Sequence, residues 1–131
     1  MKYLIGILGL LIITTGCEGY GDRSSALDIR NDATYSISFY GEYIFPDTSI
    51  RIERPLIRHI ASGKTNHLYD SDVGDLGFNR FEKEKLTIFI FSTDTLNKYS
   101  WGEIVIGNKV LRKYEINHDD YIRMGGGIDY P

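Results

Sequence analysis

The feature that most constrains this chain is the position of its single cysteine, Cys17. It is preceded by a charged residue, an apolar run and three small residues, which are Lys2, 3–13, Thr14, Thr15 and Gly16. This three-part start is typical of a secretory signal and not of a folded element. The apolar run has eleven residues, whereas a membrane-spanning helix needs about twenty. We therefore expect residues 1–16 to be removed.

The segment from Ile13 to Cys17 resembles the lipobox of bacterial lipoproteins, in which a small residue precedes the cysteine. Thr14 stands where leucine is commonest in that motif. The resemblance implies that the Cys17 thiol receives a diacylglyceryl group, that cleavage follows Gly16, and that the new amine is acylated, for example with palmitate. Several acyl chains give stable attachment, because each buried methylene contributes about 0.8 kcal/mol. An ordinary cleaved signal that ends beside a cysteine is the alternative.

A lone cysteine also limits what the rest of the chain can be. If Cys17 carries lipid, the folded part has neither a disulfide nor a thiolate metal cluster, so its stability must come from a hydrophobic core. Residues 17–131 number 115, which suits one domain. We interpret residues 17–25 as the lipidated cysteine with a polar tether. Residues 26–131 are then a single globular domain.

Composition favours strands and disfavours one class of partner. The formal net charge is −3, and it becomes about −4 once Lys2 is removed with the signal. No basic patch stands out, so we expect no nucleic-acid partner. Aromatic residues make up 13% of the chain and ten of them are tyrosines. Together with alternating apolar and polar positions, this composition indicates β-structure.

The alternation pattern predicts several strands. Residues 34–40 place Tyr35, Ile37 and Phe39 on one face, and residues 27–30 alternate in the same way. Because Asn31 and Asp32 are turn formers, we expect these two segments to pair as a hairpin. Residues 86–91 are apolar on both faces, as in a central strand covered on two sides. Shorter or edge strands are predicted at 50–54, 56–60, 66–69, 110–116 and 128–130, with a turn at 61–64, a loop at 70–85 and a polar turn at 92–97.

Two helix starts carry capping signals. Ser100 and Glu103 have capping-box spacing, and Asn117 precedes a second short helix that should end by Gly125. The sequence therefore predicts a mostly β fold, an antiparallel β-sandwich-like domain with two short helices near the carboxyl terminus. The alternative is an α+β fold in which a single antiparallel sheet carries helices on one face.

The carboxyl-terminal third strengthens the lipoprotein interpretation. Residues 86–96 (LTIFIFSTDTL), 99–104 (YSWGEI) and 111–124 (LRKYEINHDDYIRM) resemble a group of short uncharacterised lipoproteins of gut Bacteroidota. The resemblance covers roughly residues 86–131 and is weaker before them. It implies a location in the cell envelope, and it carries over no catalytic or binding residue.

Two loops contain fragments of known ion or phosphate motifs. Gly63, Lys64 and Thr65 match the end of a phosphate-binding loop, but Arg58 stands where its first glycine is required, so a hairpin turn is the better interpretation. Asp70, Asp72 and Asp75 partly match a calcium loop. The closing glutamate of that motif is missing, because Phe81 occupies its position. A solvated loop is the competing interpretation.

The remaining candidates are histidines and aromatic residues. His59, His67 and His118 could supply zinc ligands or a general base, although no pair has typical metal-site spacing. Trp101, with Tyr99 and Tyr40, could stack on a sugar ring or belong to the core. No serine has the context of an exposed nucleophile.

These observations favour a non-enzymatic binding module without a cofactor. We expect it to be held on a membrane by the lipid on Cys17, at the outer membrane on either the periplasmic side or the cell surface. Its partner would be an envelope protein, a peptide or a glycan. A structural component of an envelope assembly is the first alternative, and a hydrolase is the second.

Overall fold

The computed structural model describes residues 27–43, 47, 49–69 and 84–131. This part of the chain contains seven strands and three short helices. The strands are β1 (Leu27–Asn31), β2 (Ile37–Glu42), β3 (Arg58–Ile60), β4 (Thr65–Leu68), β5 (Leu86–Ser92), β6 (Arg112–Ile116) and β7 (Gly127–Tyr130). The helices are α1 (Thr93–Lys98), α2 (Trp101–Ile106) and α3 (His118–Arg123).

The strands form two sheets. The first sheet has the order β4-β1-β7, with β1 antiparallel to β4 and parallel to β7. The second has the order β3-β2-β5-β6 and is antiparallel throughout. The predicted mostly β fold, with antiparallel pairing dominant and short helices late in the chain, is confirmed. Because the strands form two sheets, the alternative prediction of an α+β fold with a single sheet is wrong.

Two hydrophobic clusters lie on the two faces of the second sheet. The inner core lies between the sheets and combines residues of both, namely Leu27, Ile29, Leu68, Ile128 and Tyr130 with Ile37, Phe39, Ile60, Ile88, Ile90 and Ile116. The outer core contains Tyr40, Ile50, Phe89, Phe91, Leu96 and Ile104. Six of the seven β5 side chains are buried, as predicted for a central strand covered on both faces.

The predicted hairpin between residues 27–30 and 34–40 is wrong, because β1 and β2 belong to different sheets. The buried Asn31 side chain accounts for the crossing. Its amide donates to the carbonyl oxygens of Tyr35 at 2.8 Å and Ile60 at 3.1 Å, and its oxygen accepts from the Ala33 N–H at 3.0 Å. Asn31 therefore directs the chain from one sheet to the other and does not form the turn of a hairpin.

Three other local predictions need correction. Tyr35 lies outside β2 and is 43% exposed. No strand forms at 50–54, and β3 starts only at Arg58. The turn predicted at 92–97 contains the helix α1, in which Leu96 is buried. Asp94 in its first turn and Lys98 in its last turn suit the helix dipole.

Both predicted helix caps are present. Ser100 and Glu103 form a reciprocal capping box at the start of α2, and Asn117 and Asp120 form another at the start of α3. Gly125 follows α3 with a φ of +68°, which glycine adopts without steric cost. In the described part of the chain, no helix is long and apolar enough to cross a membrane.

Candidate functional site

Several predicted site residues lie outside the described residues. They are Gly16 and Cys17 at the expected cleavage and lipid site, and Asp70, Asp72 and Asp75 of the calcium hypothesis. The Gly63 and Lys64 prediction can be assessed. A turn is present at Gly63, but it is not the predicted hairpin turn, because β3 before it belongs to the second sheet and β4 after it to the first. Gly63 has a φ of +70° and its N–H donates to the Asn31 carbonyl at 2.7 Å. Thr65 begins β4 and not the helix that a phosphate-binding loop requires.

The three histidines lie on three different elements. His59 is on β3, His67 is on β4, and His118 begins α3. Across residues 27–43, 47, 49–69 and 84–131, no group of three or more His, Cys, Asp or Glu side chains is arranged to hold a metal ion. His67 Nδ1 instead lies 2.6 Å from Asp28 Oδ1 on the neighbouring strand. Both of these side chains are about half exposed, at 43% and 55%.

His59 takes part in a hydroxyl–imidazole arrangement that the sequence did not reveal. Its Nδ1 atom lies 2.7 Å from Ser38 Oγ, which also lies 2.8 Å from Thr93 Oγ1. Only the strand register brings these residues together, because Ser38 on β2 pairs with His59 on β3. Ser38 is fully buried at 0% exposure, so a substrate cannot reach its oxygen. The arrangement joins β2, β3 and α1 and does not present a nucleophile.

The aromatic candidates pack against the outer core. Tyr40 is 2% exposed and stacks on Phe89 with ring centroids 4.8 Å apart. Trp101 is half-buried and meets Tyr40 and Phe91 edge-on at 6.0 and 5.8 Å. A buried ring cannot stack on a sugar, which removes Tyr40 from the predicted sugar platform. Tyr99 is also partly buried, and the Lys109 ammonium lies 4.3 Å from its ring centroid.

These aromatic residues hold one loop in place. The indole Nε1 of Trp101 donates to the Arg51 carbonyl at 3.0 Å. The hydroxyl of Tyr40 accepts from the Arg51 N–H at 3.2 Å. Both backbone groups of Arg51 are therefore fixed, and Ile50 beside it is buried in the outer core. Ile50 and Arg51 are therefore held against the second sheet and cover part of its outer core.

Beside this cover lies an open cleft of about 770 Å³. Phe89 of β5 is part of its lining, Asp47, Ser49 and Ile50 line one side, and residues of the segment 105–113 line the other. Its apolar lining is Ile50, Phe89, Val105, Val110 and Leu111, and its polar lining is Asp47, Ser49, Asn108, Arg112 and Lys113. The volume lies within the range of about 300–1,000 Å³ that is usual for ligand pockets.

The charged groups of the cleft stand on opposite walls. Asp47 accepts a hydrogen bond from the Ser49 N–H at 2.9 Å. Hydrogen bonds from the backbone and side chain of Ser49 hold the Asp47 pKa below its ordinary value. Lys113 pairs with Phe89 across the strands, and its ammonium lies 3.7 Å from Glu115. The cleft therefore offers a carboxylate on one side and an ammonium on the other.

A largely buried carboxyl lies on the second sheet, outside the lining of the cleft. Glu42 and Thr87 are direct neighbours on β2 and β5. Glu42 Oε1 and Thr87 Oγ1 have no hydrogen-bond partner within the part of the chain that the structure describes. Burial raises the Glu42 pKa, the Arg51 guanidinium at 3.8 Å opposes this, and Asp47 adds to it. Burial therefore disfavours the ionised form of the Glu42 carboxyl.

The cleft could not be found by motif. Its walls come from segments about 60 residues apart in sequence, and none of its residues belongs to a pattern with a known chemistry. The one relevant feature of the sequence is that residues 86–91 are apolar on both faces, which predicts that other parts of the chain cover Phe89. No family model, curated protein or solved structure matches this chain.

Proposed function

We propose that this chain is an envelope lipoprotein, anchored by lipid on Cys17 to the outer membrane, whose β domain binds a peptide segment without catalysing a reaction. The observation that carries the binding role is the cleft that Asp47, Ser49 and Ile50 line on one side and the segment 105–113 on the other. Val105, Val110 and Leu111 are the partly exposed apolar residues of its lining and can contact an apolar side chain. Its polar rim can bind the backbone and charges of the same segment.

The charges of the cleft support binding over catalysis. A general acid or base works best when its pKa lies near the operating pH. The Asp47 pKa moves the other way, below its ordinary value. The Ser38 hydroxyl lies outside the lining and is buried. One carboxylate, Asp47, and two basic side chains, Arg112 and Lys113, in the same lining suit recognition of a ligand that carries both charges.

The shape of the lining favours a peptide over a glycan. Sugar rings bind to exposed aromatic faces, whereas Phe89 is 1% exposed and Tyr40 is 2% exposed. Val105, Val110 and Leu111 form an aliphatic wall instead. Asp47 and Lys113 can pair with a basic and an acidic residue of the bound segment.

The test is binding by matched surface variants of the mature protein. Leu111 lines the cleft and is 45% exposed, whereas Ile122 lies on α3 and is 62% exposed. Both tolerate Asp without loss of a buried contact. On peptide and glycan arrays, Leu111→Asp should weaken peptide binding at least about tenfold, equivalent to 1.4 kcal/mol. Ile122→Asp should bind like the wild type. Blank peptide arrays, or equal binding by the two variants, would contradict the proposed site.

A further inference from the structure

A second surface lies beside the cleft, on residues 51–58, which we name the arginine loop. It contains Arg51, Arg54 and Arg58 against the single acid Glu53. Two large aliphatic side chains on it face solvent, Ile52 at 85% exposure and Leu56 at 67%. Exposed aliphatic residues beside arginines make this loop a candidate contact surface.

The arginine loop is rigid where it meets the sheet. Arg51 is held at both backbone groups by Tyr40 and Trp101, and Ile57 packs against the outer core. Ile52 and Leu56 are therefore presented to solvent from a fixed support. Little conformational freedom would be lost when they bind, which favours association.

The charge of the loop opposes that of the remaining chain. Residues 51–58 are net positive, whereas the whole chain has a formal net charge of −3. An anionic surface would repel most of the domain and attract this loop, and so would orient it. Arg54 lies in the middle of the loop, and the arginines at its two ends already have partners, with Arg51 3.9 Å from Glu53. Arg58 lies over the Tyr69 ring at 5.0 Å, and Arg51 lies 3.8 Å from Glu42.

The expected lipid anchor on Cys17 would hold the domain close to a membrane surface. Ten residues lead from Cys17 to Leu27, where β1 begins. Fully extended, they span at most about 36 Å. A tether of this length holds the domain at a millimolar effective concentration near the bilayer, so even a weak surface contact would be occupied.

From these observations we infer that the arginine loop docks on the anionic phospholipid surface of the membrane that holds the anchor, with Ile52 and Leu56 entering the interface. Arg54 and Arg58 would then lie among the phosphate headgroups. The inference rests on the proposed lipid anchor at Cys17. It assigns the membrane contact to the arginine loop on the outer-core face of the second sheet, the face that also carries the cleft.

Trp101 provides the test, because it is the single tryptophan of the chain and lies directly under the loop. The mature lipidated protein is reconstituted into phosphatidylethanolamine and phosphatidylglycerol vesicles that contain lipids with brominated acyl chains. Docking should quench Trp101 emission. Quenching should decrease in vesicles of phosphatidylcholine alone, and also in 1 M salt, where the Debye length falls to about 3 Å.

The matched variants separate docking from anchoring. The double variant Ile52→Ser with Leu56→Ser should lose the quenching while it still floats with the vesicles, and Ile122→Ser on α3 should keep it. Thermal unfolding checks that each variant is folded. Wild-type protein that floats without quenching, or a double variant quenched like the wild type, would overturn the docking inference alone. Protein that does not float would refute the anchor and the docking together.

Discussion

The hydroxyl of Tyr40 accepts a hydrogen bond from the backbone N–H of Arg51 at 3.2 Å. The same ring stacks on Phe89 at 4.8 Å between centroids. Tyr40 therefore has two roles, since its ring fills the outer core and its oxygen fixes the arginine loop. Burial raises the Tyr40 pKa well above its ordinary value, with the Arg51 backbone opposing this. The phenol remains protonated throughout the physiological range.

Removing that oxygen should weaken the domain measurably. Tyr40→Phe keeps the ring and loses the hydrogen bond, and we expect the free energy of unfolding to fall by about 1 kcal/mol. Tyr35→Phe is the matched control, because its hydroxyl bonds that of Tyr130 at 2.9 Å from a side chain that is 43% exposed. Urea unfolding measures both variants. If Tyr40→Phe costs no more than Tyr35→Phe, the loop does not depend on this bond.

The parts of the fold that the sequence predicted are those set by local patterns. The apolar residues 86–91 and the capping pairs at Ser100 and Asn117 each determine structure within a few residues, and all three predictions are confirmed. The pairing of strands was not predictable in this way. Asn31 has ordinary turn propensity in the sequence, and only its burial between two sheets reveals its bonds to Tyr35 and Ile60.

The candidate site was even harder to predict from the sequence, because only the tertiary structure brings its residues together. Phe89 was expected to be covered, but the residues that leave a cleft over it come from two loops without any pattern. The contact between Ser38 and His59 likewise requires the register of β2 with β3. Side chains that act together across loops leave no spacing signal in one sequence.

Close packing between the sheets makes a prediction about two glycines. A Cβ on Gly41 would lie 2.5 Å from Leu68 Cδ2, and Leu68 is itself 3% exposed and cannot move away freely. Gly41→Ala should therefore cost about 1–3 kcal/mol. Gly102 on α2 has open space around it, so Gly102→Ala should stabilise by about 0.5–1 kcal/mol. Thermal unfolding compares the two, and a neutral Gly41→Ala would contradict the close approach of the sheets.

The buried carboxyl of Glu42 predicts a dependence of stability on pH. Burial raises its pKa above the ordinary 4.5, with Arg51 opposing and Asp47 adding. The native state therefore holds this proton more tightly than the unfolded state, and stability falls as the pH rises from 4.5 through the raised value. Glu42→Gln removes the effect. Its stability should equal that of the wild type at low pH and exceed it at neutral pH.

Glu103 gives the opposite case as a control. Hydrogen bonds from the backbone and side chain of Ser100 lower its pKa. Its contribution is present above the ordinary pKa of 4.5 and is lost as the pH falls through the lowered value. Glu103→Gln should therefore lose stability at neutral pH, where Glu42→Gln gains it. Urea unfolding between about pH 2.5 and pH 8 measures both trends. A difference between wild type and Glu42→Gln that does not change with pH would refute the explanation by burial.

The contact between Ser38 and His59 allows the hydrolase alternative to be tested. Because Ser38 is fully buried, a fluorophosphonate probe should leave it unlabelled, as seen by mass spectrometry of the digested protein. Ser38→Ala should instead cost about 1–3 kcal/mol, since it removes the partner of His59 and Thr93. Ser62→Ala, which removes an exposed hydroxyl bonded to the Ala33 carbonyl, should cost less. Labelling at Ser38 that the alanine variant abolishes would support catalysis.

The last prediction concerns Cys17, on which the proposed anchor depends. Acyl attachment needs a thiol, which ionises far more readily than a serine hydroxyl, and in the resembling lipoproteins it precedes cleavage. Cys17→Ser should therefore lose all labelling by a palmitate analogue, retain residues 1–16, and lack the mature lipidated form. Ser24→Ala, in the expected tether, should be labelled and processed like the wild type. A Cys17→Ser protein that is still labelled and cleaved would refute the anchor, and the membrane docking of the arginine loop would lose its basis with it.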